Sequence, residues 1–460
     1  MNIIIQETIS RINNILSIIR TVTESKKKVV FLILGITYRI SLDIYYMTVV
    51  SPTFAYEGLH LAPNTIKYIL SWIIYLSIYQ MIPKDEISVS SFFLNLQFAI
   101  TFAPMTSFYS LNNQSTLYML FVSISIYAQI LILKPSKSKK MVGFSLFNLE
   151  HYISTFMIIL IPSLIILAFL WGGFYGFQSF NLEFLGIMRK YANFPTILSY
   201  AFWWLLFGII PFYLGLNLVK KRYLIAVFLI IVDILLYMIF GFKIIYLSIF
   251  VMLVVFTVSK FRVLINGIYF GMSSLCIMST ILFFLEKHAI NKKLSVLITA
   301  FLGDRFIFGP ALNKFLYYDF FSQYPKVYFA DGQIGKALGL TYPYNGSIGQ
   351  VVFAFMNKGR LYESNSNTGY LGDSYAQFGF IGLLVLSIFL AYIIKFINEI
   401  KLNFTIIATA LGVQIVILND GALFTTLLTN GFIILIVLCL IYSKQEEKIY
   451  FRRNLNDYHI

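Results

Sequence analysis

Charged side chains are scarce in this sequence, and several stand where they could do chemistry. Arg39 and Asp43 lie four residues apart in an otherwise apolar run, so on a helix they share one face and can pair. Asp233 has no local partner in another apolar run, and Lys243 is the cation placed to reach back toward it. A charge near the centre of a membrane helix costs roughly 2.5–3.5 kcal/mol. Such residues either close on a partner inside a bundle or serve a substrate. A second group falls between residues 286 and 373: Asp304-Arg305, Lys314, Asp331, Arg360, Glu363 and Asp373, with His288 and further lysines. Arginine grips phosphate oxygens with two parallel N–H donors, and a carboxylate nearby can take a proton. Tyr317, Tyr318, Phe320, Phe321 and Tyr324 offer faces for sugar rings or, equally, an aromatic belt at a membrane surface.

Other chemistries lack their residues. There is no phosphate-binding P-loop, no dinucleotide fingerprint and no His-Glu-x-x-His zinc helix. No Asp-x-Asp pair offers a metal to a nucleotide sugar, and no metal or cofactor site is predicted. His60, His151, His288 and His459 are scattered. Cys276 and Cys439 sit within apolar runs and read as small core residues rather than as a disulfide.

The elements that must position these groups are membrane helices. Hydrophobic residues make up 59% of the chain and charged ones 12%, about half the charged share of a soluble domain. A soluble core stops growing well before 460 residues, so the solvent is lipid. The net charge of +15 would suit nucleic acid if it lay on one face. Instead the lysines and arginines form short clusters between apolar runs, and no nucleic-acid partner is expected.

Runs long enough to cross the hydrocarbon layer predict twelve spans near 29–50, 65–82, 88–106, 115–133, 152–172, 194–218, 223–240, 243–259, 262–285, 374–395, 403–419 and 426–443. The 88–106 span has the weakest apolar signal, and Gly241-Phe242-Lys243 divides the 223–259 stretch into a hairpin. With the N-terminus inside, the basic clusters at 26–28, 134–140, 220–222 and 444–453 all fall inside, whereas the short outer connections hold only Lys67, Arg189, Lys190 and Lys243. Residues 1–28 mix apolar residues with Glu7, Arg11 and Arg20, and are expected to lie as an amphipathic helix on the inner surface. The organisation is then nine spans over 29–285, a large outer loop over 286–373, three spans over 374–443 and a cytoplasmic tail over 444–460. The loop is rich in aromatics, with helical stretches at Leu294–Phe301 and Ala311–Phe321 that Gly309-Pro310 should break apart. The sequence shows no internal repeat.

The run Ser366-Asn367-Thr368-Gly369-Tyr370-Leu371-Gly372-Asp373-Ser374-Tyr375-Ala376-Gln377-Phe378-Gly379-Phe380-Ile381-Gly382 closes this loop and enters the tenth span. It resembles the signature of the Wzy-type O-antigen and capsule repeat-unit polymerases, in which Asn-Thr-Gly, Gly-Asp and Phe-Gly elements end the large periplasmic loop. Arg305, Gly309-Pro310 and Tyr317 to Phe321 look like the same family's earlier loop segment. Some members carry an arginine followed eleven positions later by glycine in two outer loops, and Arg189, Arg305 and Arg360 lack that spacing. Gly369, Gly372, Gly379 and Gly382 also have a packing explanation, as close contacts of the tenth span with a neighbour.

The resemblance implies an all-α polytopic protein of the bacterial inner membrane, similar to the C-type membrane glycosyltransferases and ligases, with both termini cytoplasmic. It implies a glycosyltransferase that moves a growing glycan from undecaprenyl pyrophosphate onto another lipid-linked repeat unit. A chain-length regulator and a flippase would be its partner proteins. Pyrophosphate is already a leaving group, so positioning and charge stabilisation suffice. Arg305, Arg360 and Arg189 or Lys243 would hold the pyrophosphate, with Asn367, Tyr370 and Arg39 as further substrate contacts. Asp373, Asp304 or Glu363 would accept the proton, with His288 behind them and Asp373 favoured by the motif. A lipid-linked oligosaccharide flippase, which would use Arg39, Asp43 and Asp233 as pathway charges, and an O-antigen ligase are the alternatives.

Overall fold

Short polar side chains set where the apolar runs become helices. Asn64, Ser88, Ser115 and Asn403 each accept a hydrogen bond from a backbone N–H in the first turn that follows. The computed structural model describes residues 28–134, 149–172, 194–286, 293–356 and 365–443, and its regular structure there is entirely helical. In chain order the helices are α1 (Lys28–Glu57), α2 (Thr65–Met81), α3 (89–111), α4 (Thr116–Leu133), α5 (Leu149–Gly172), α6 (Thr196–Val219), α7 (Tyr223–Phe240) and α8 (Lys243–Lys260). There follow α9 (Leu264–Glu286), α10 (Ser295–Gln323), α11 (Gln333–Ala337), α12 (Ile348–Met356), α13 (Tyr370–Glu399), α14 (Phe404–Asp420) and α15 (Phe432–Tyr442). Among the described residues eight helices are long and apolar enough to cross a membrane. Those are the proportions of a polytopic membrane protein. Arg189, His288, Arg360, Glu363, His459 and the segments 1–27 and 444–460 lie outside the described residues.

The helix with the weakest apolar signal is the centre of the bundle. Every residue of α3 is buried, including Ser90, Ser91, Asn95, Gln97, Thr101, Thr106, Ser107 and Ser110. Protein rather than lipid surrounds it, so its polar side chains find partners on neighbouring helices. Tyr269 donates to Asn95 Oδ1 at 2.9 Å, and Thr101 to Asn419 Oδ1 at 2.8 Å.

Two ends of the bundle can be told apart. At one, Ala62 and Asn64 donate backbone N–H groups to Leu111 and Ser110, and Asn313 donates to the Asn367 carbonyl at 2.7 Å. At the other, Glu86 accepts from the Ile265 N–H at 2.7 Å and Asn398 accepts from the Ser90 N–H at 3.2 Å. Burial pushes the Glu86 carboxyl above the ordinary glutamate range, while the N–H groups at the start of α9 pull it back.

One expectation needs correction. Gly309-Pro310 does not break the helix: α10 runs through it, widened into a π-helix over Ala300–Phe308. Proline removes the N–H that would pair with Phe306. The wider turns absorb its ring, and Asn419 Nδ2 approaches the Phe306 carbonyl at 3.5 Å. This helix within the predicted loop is itself long and apolar enough to cross a membrane. Its contacts nevertheless run along one end of the bundle, with Phe308 on Tyr45 and Tyr46, and Phe315 on Phe108 and Tyr118.

Candidate functional site

The site begins with a buried cation. Lys314 on α10 is fully buried, and its Nζ donates to Asn419 O (2.8 Å), Asn419 Oδ1 (3.2 Å) and Pro310 O (3.1 Å). All three ammonium N–H groups are thereby used. The signature segment closes on the same point: a Cβ at Gly369 would run into the Asn419 carbonyl oxygen. Lys314, Asn419 and Gly369, far apart in sequence, thus form one platform where α10, α14 and the start of α13 meet.

Charged side chains crowd this platform. Arg305 Nε pairs with Asp304 Oδ2 at 3.0 Å; the arginine side chain is 74% exposed and the aspartate only 9%. Glu57, at the end of α1, reaches Asp304 as well. Asp420, the last residue of α14, is exposed and lies within electrostatic reach of Lys314 and Arg305. Asn367 is exposed alongside. An open guanidinium among carboxylates and amides can bind a phosphate group, and a carboxylate beside it can take a proton from a substrate hydroxyl.

Asp373 lies near Tyr317 of α10, whose hydroxyl donates to the Ser366 carbonyl at 3.0 Å. It occupies the first turn of α13, is 7% exposed and accepts from Gln377 Nε2 at 3.3 Å. Gln377 Oε1 in turn accepts from the Phe329 N–H at 2.6 Å. The Val327 and Tyr328 N–H groups bond the Ala376 and Gln377 carbonyls, beside a break in α13 where Gly379 takes φ +63°. Only glycine enters that left-handed conformation at no steric cost. Asp331 stands near Asp373. Burial raises its carboxyl above the usual range although part of it meets solvent, and the Gln377 hydrogen bond opposes the shift.

Other predicted residues are placed elsewhere. Arg39 is fully buried, bonded to Asp43 (3.0 Å), Thr106 (3.0 Å) and Ser71 (2.9 Å), and lies over the Trp72 and Tyr75 rings. Tyr68 donates to the second Asp43 oxygen at 3.0 Å. Tyr370 is buried, and its hydroxyl accepts from Gln97 and Gln129. The Asp233–Lys243 pair does not form, because both Asp233 carboxyl oxygens are buried without a hydrogen-bond partner. Seven residues of helix, roughly 10 Å, separate Asp233 from the end of α7, while Lys243 opens α8 beyond the Gly241 turn. Tyr317, Phe320 and Phe321 are buried rather than belt residues, whereas Tyr324 is 46% exposed. Of the motif glycines, Gly372 and Gly382 stand against Thr368 and Ser374 of their own segment rather than against a neighbouring helix.

The sequence reading missed Glu57 and Asp420. Each directly follows an apolar run, and the inside–outside alternation of spans puts both on the side of Arg305; that was the available signal. Searched against protein-family models, curated proteins and solved structures, the chain matches none.

Proposed function

We propose that the protein polymerises undecaprenyl-pyrophosphate-linked oligosaccharide repeat units into O-antigen or capsular polysaccharide. In this reading twelve spans cross the inner membrane, both termini are cytoplasmic, and the end carrying Arg305 faces outward. The observation that carries the reading is the exposed Arg305 beside Asp304, Glu57 and Asp420, on a platform completed by the signature segment at Gly369. Arg305 holds the donor pyrophosphate, joined by Arg360 and Arg189. An acceptor sugar hydroxyl attacks the donor's anomeric carbon and gives its proton to a carboxylate. The carbon–oxygen bond to pyrophosphate breaks, and the electron pair leaves with the lipid carrier. Asp373 and Asp304 are the carried-over bases, although Asp304 is committed to Arg305 and Asp373 to Gln377. Asn367 is open to the glycan.

The unpartnered Asp233 is the observation that favours a transporter instead. One assay separates the two. Purified protein given a lipid-linked repeat unit without nucleotide should yield a ladder of lengthened glycans, lost in Arg305→Ala at unchanged protein level. Unaltered substrate delivered to the opposite leaflet would establish the flippase. A wild-type ladder from Arg305→Ala would remove Arg305 from the site.

A further inference from the structure

Among the described residues two carboxylates at this end of the bundle, Asp319 and Asp420, make no hydrogen bond or ion pair, and of these two Asp420 is the one within electrostatic reach of Arg305. Asp304 is paired with Arg305 and backed by Glu57. Asp373 is nearly buried and bonded to Gln377. Asp420 keeps part of its surface open to solvent and makes no hydrogen bond or ion pair within 4 Å to a described residue, although burial raises its carboxyl above the usual range, with Lys314 and Arg305 opposing the shift. Yet the residue before it is among the most firmly held in the molecule. Asn419 takes two hydrogen bonds from the buried Lys314 and one from Thr101, and its carbonyl lies against Gly369.

A buried lysine is expensive to keep in a membrane protein, and here its contacts fix one neighbouring side chain. Rigid backbone beneath a carboxylate with open lone pairs is what general-base catalysis requires, because the acceptor must meet its proton within hydrogen-bond reach. The two cations within electrostatic reach of Asp420, Lys314 and Arg305, are both on α10, and Tyr317 is the next titratable group along that helix. Arg305 within electrostatic reach of Asp420 puts a phosphate-binding group and an unpaired base on one platform.

We infer that Asp420 is the general base of the proposed glycosyl transfer and that Lys314 is the positioning residue that seats it. This rests on the polymerase reading. The acceptor hydroxyl proton passes to Asp420 as the new glycosidic bond forms and the pyrophosphate-linked lipid departs. Asp420, rather than the motif carboxylate Asp373, is then where the proton goes.

The test is initial-rate chain extension of a purified lipid-linked repeat unit across a pH series, with binding of that substrate measured in parallel. Asp420→Asn should lower kcat by about 100-fold or more, the usual share of a general base, with substrate affinity within a few-fold of wild type. Asp420→Glu should recover part of the rate. Lys314→Met removes a positive charge near the base, so the acidic limb of the rate profile should move up by about one pH unit. If Lys314→Met does not accumulate, the Asp420 variants decide, since that side chain is exposed. Wild-type extension by Asp420→Asn, with loss in Asp373→Asn or Asp304→Asn, would overturn the assignment and leave the polymerase standing. A wild-type protein that extends nothing would overturn both.

Discussion

Arg39 shows what one charge demands when its surroundings are other helices. Its guanidinium is enclosed by Asp43, Ser71, Thr106 and two aromatic faces, so the pair closes on itself and offers no open donor to a passing substrate. Truncating one partner leaves the other charged, buried and unpaired, a loss of roughly 3–5 kcal/mol. Thermal unfolding in detergent should therefore show Arg39→Met strongly destabilised, and Arg39→Met with Asp43→Leu partly restored. A double variant worse than the single one would mean that the site needs its charges for more than each other. This pairing was legible in the sequence because four residues is one helical turn. Asp420 was not: an aspartate at the end of an apolar run has no signature of its own. Its importance comes from Lys314 and Asn419, which only the packing of α10 on α14 brings beside it.

The elements differ in how well the sequence announces them. Lipid-facing helices such as α7 advertise themselves through apolar composition, whereas α3 is polar because other helices surround it. Hydropathy reads the solvent of a helix, and it therefore weakens at the element that organises all the others. Gly309-Pro310 likewise looked like a stop, since the missing N–H and the bulky ring are local facts. The π-helical turns and the Asn419 side chain that accommodate them are not. Gly369→Ala tests the joint between the signature and α14. The new methyl meets backbone atoms of Leu418 and Asn419 that cannot step aside, and overpacking of this kind costs about 1–3 kcal/mol. Lower thermal stability and a failed glycan ladder are expected, while Gly271→Ala, with nothing within 4 Å of its added carbon, should be silent. Equal behaviour of the two variants would show that the signature glycine does not hold this contact.

At the scale of the whole molecule, the two ends of the bundle should face opposite sides of the membrane. Tyr56 is 78% exposed at the end that carries Arg305, and Ile87 is 55% exposed at the other. Cys276 and Cys439 are both buried, so introduced thiols can be read against a quiet background. In intact cells a membrane-impermeant maleimide should label Tyr56→Cys at once and Ile87→Cys only after permeabilisation; labelling of both from one side would sink the topology. By itself the sequence determined that the chain is built of apolar helices suited to lipid, and where most of those helices lie. Those properties follow from local composition and charge, summed one segment at a time. Which carboxylates stand unpaired, which cation is committed and which glycine must stay bare were decided only by tertiary structure. Each depends on atoms from segments far apart in the chain, and no local pattern records how closely two helices will approach.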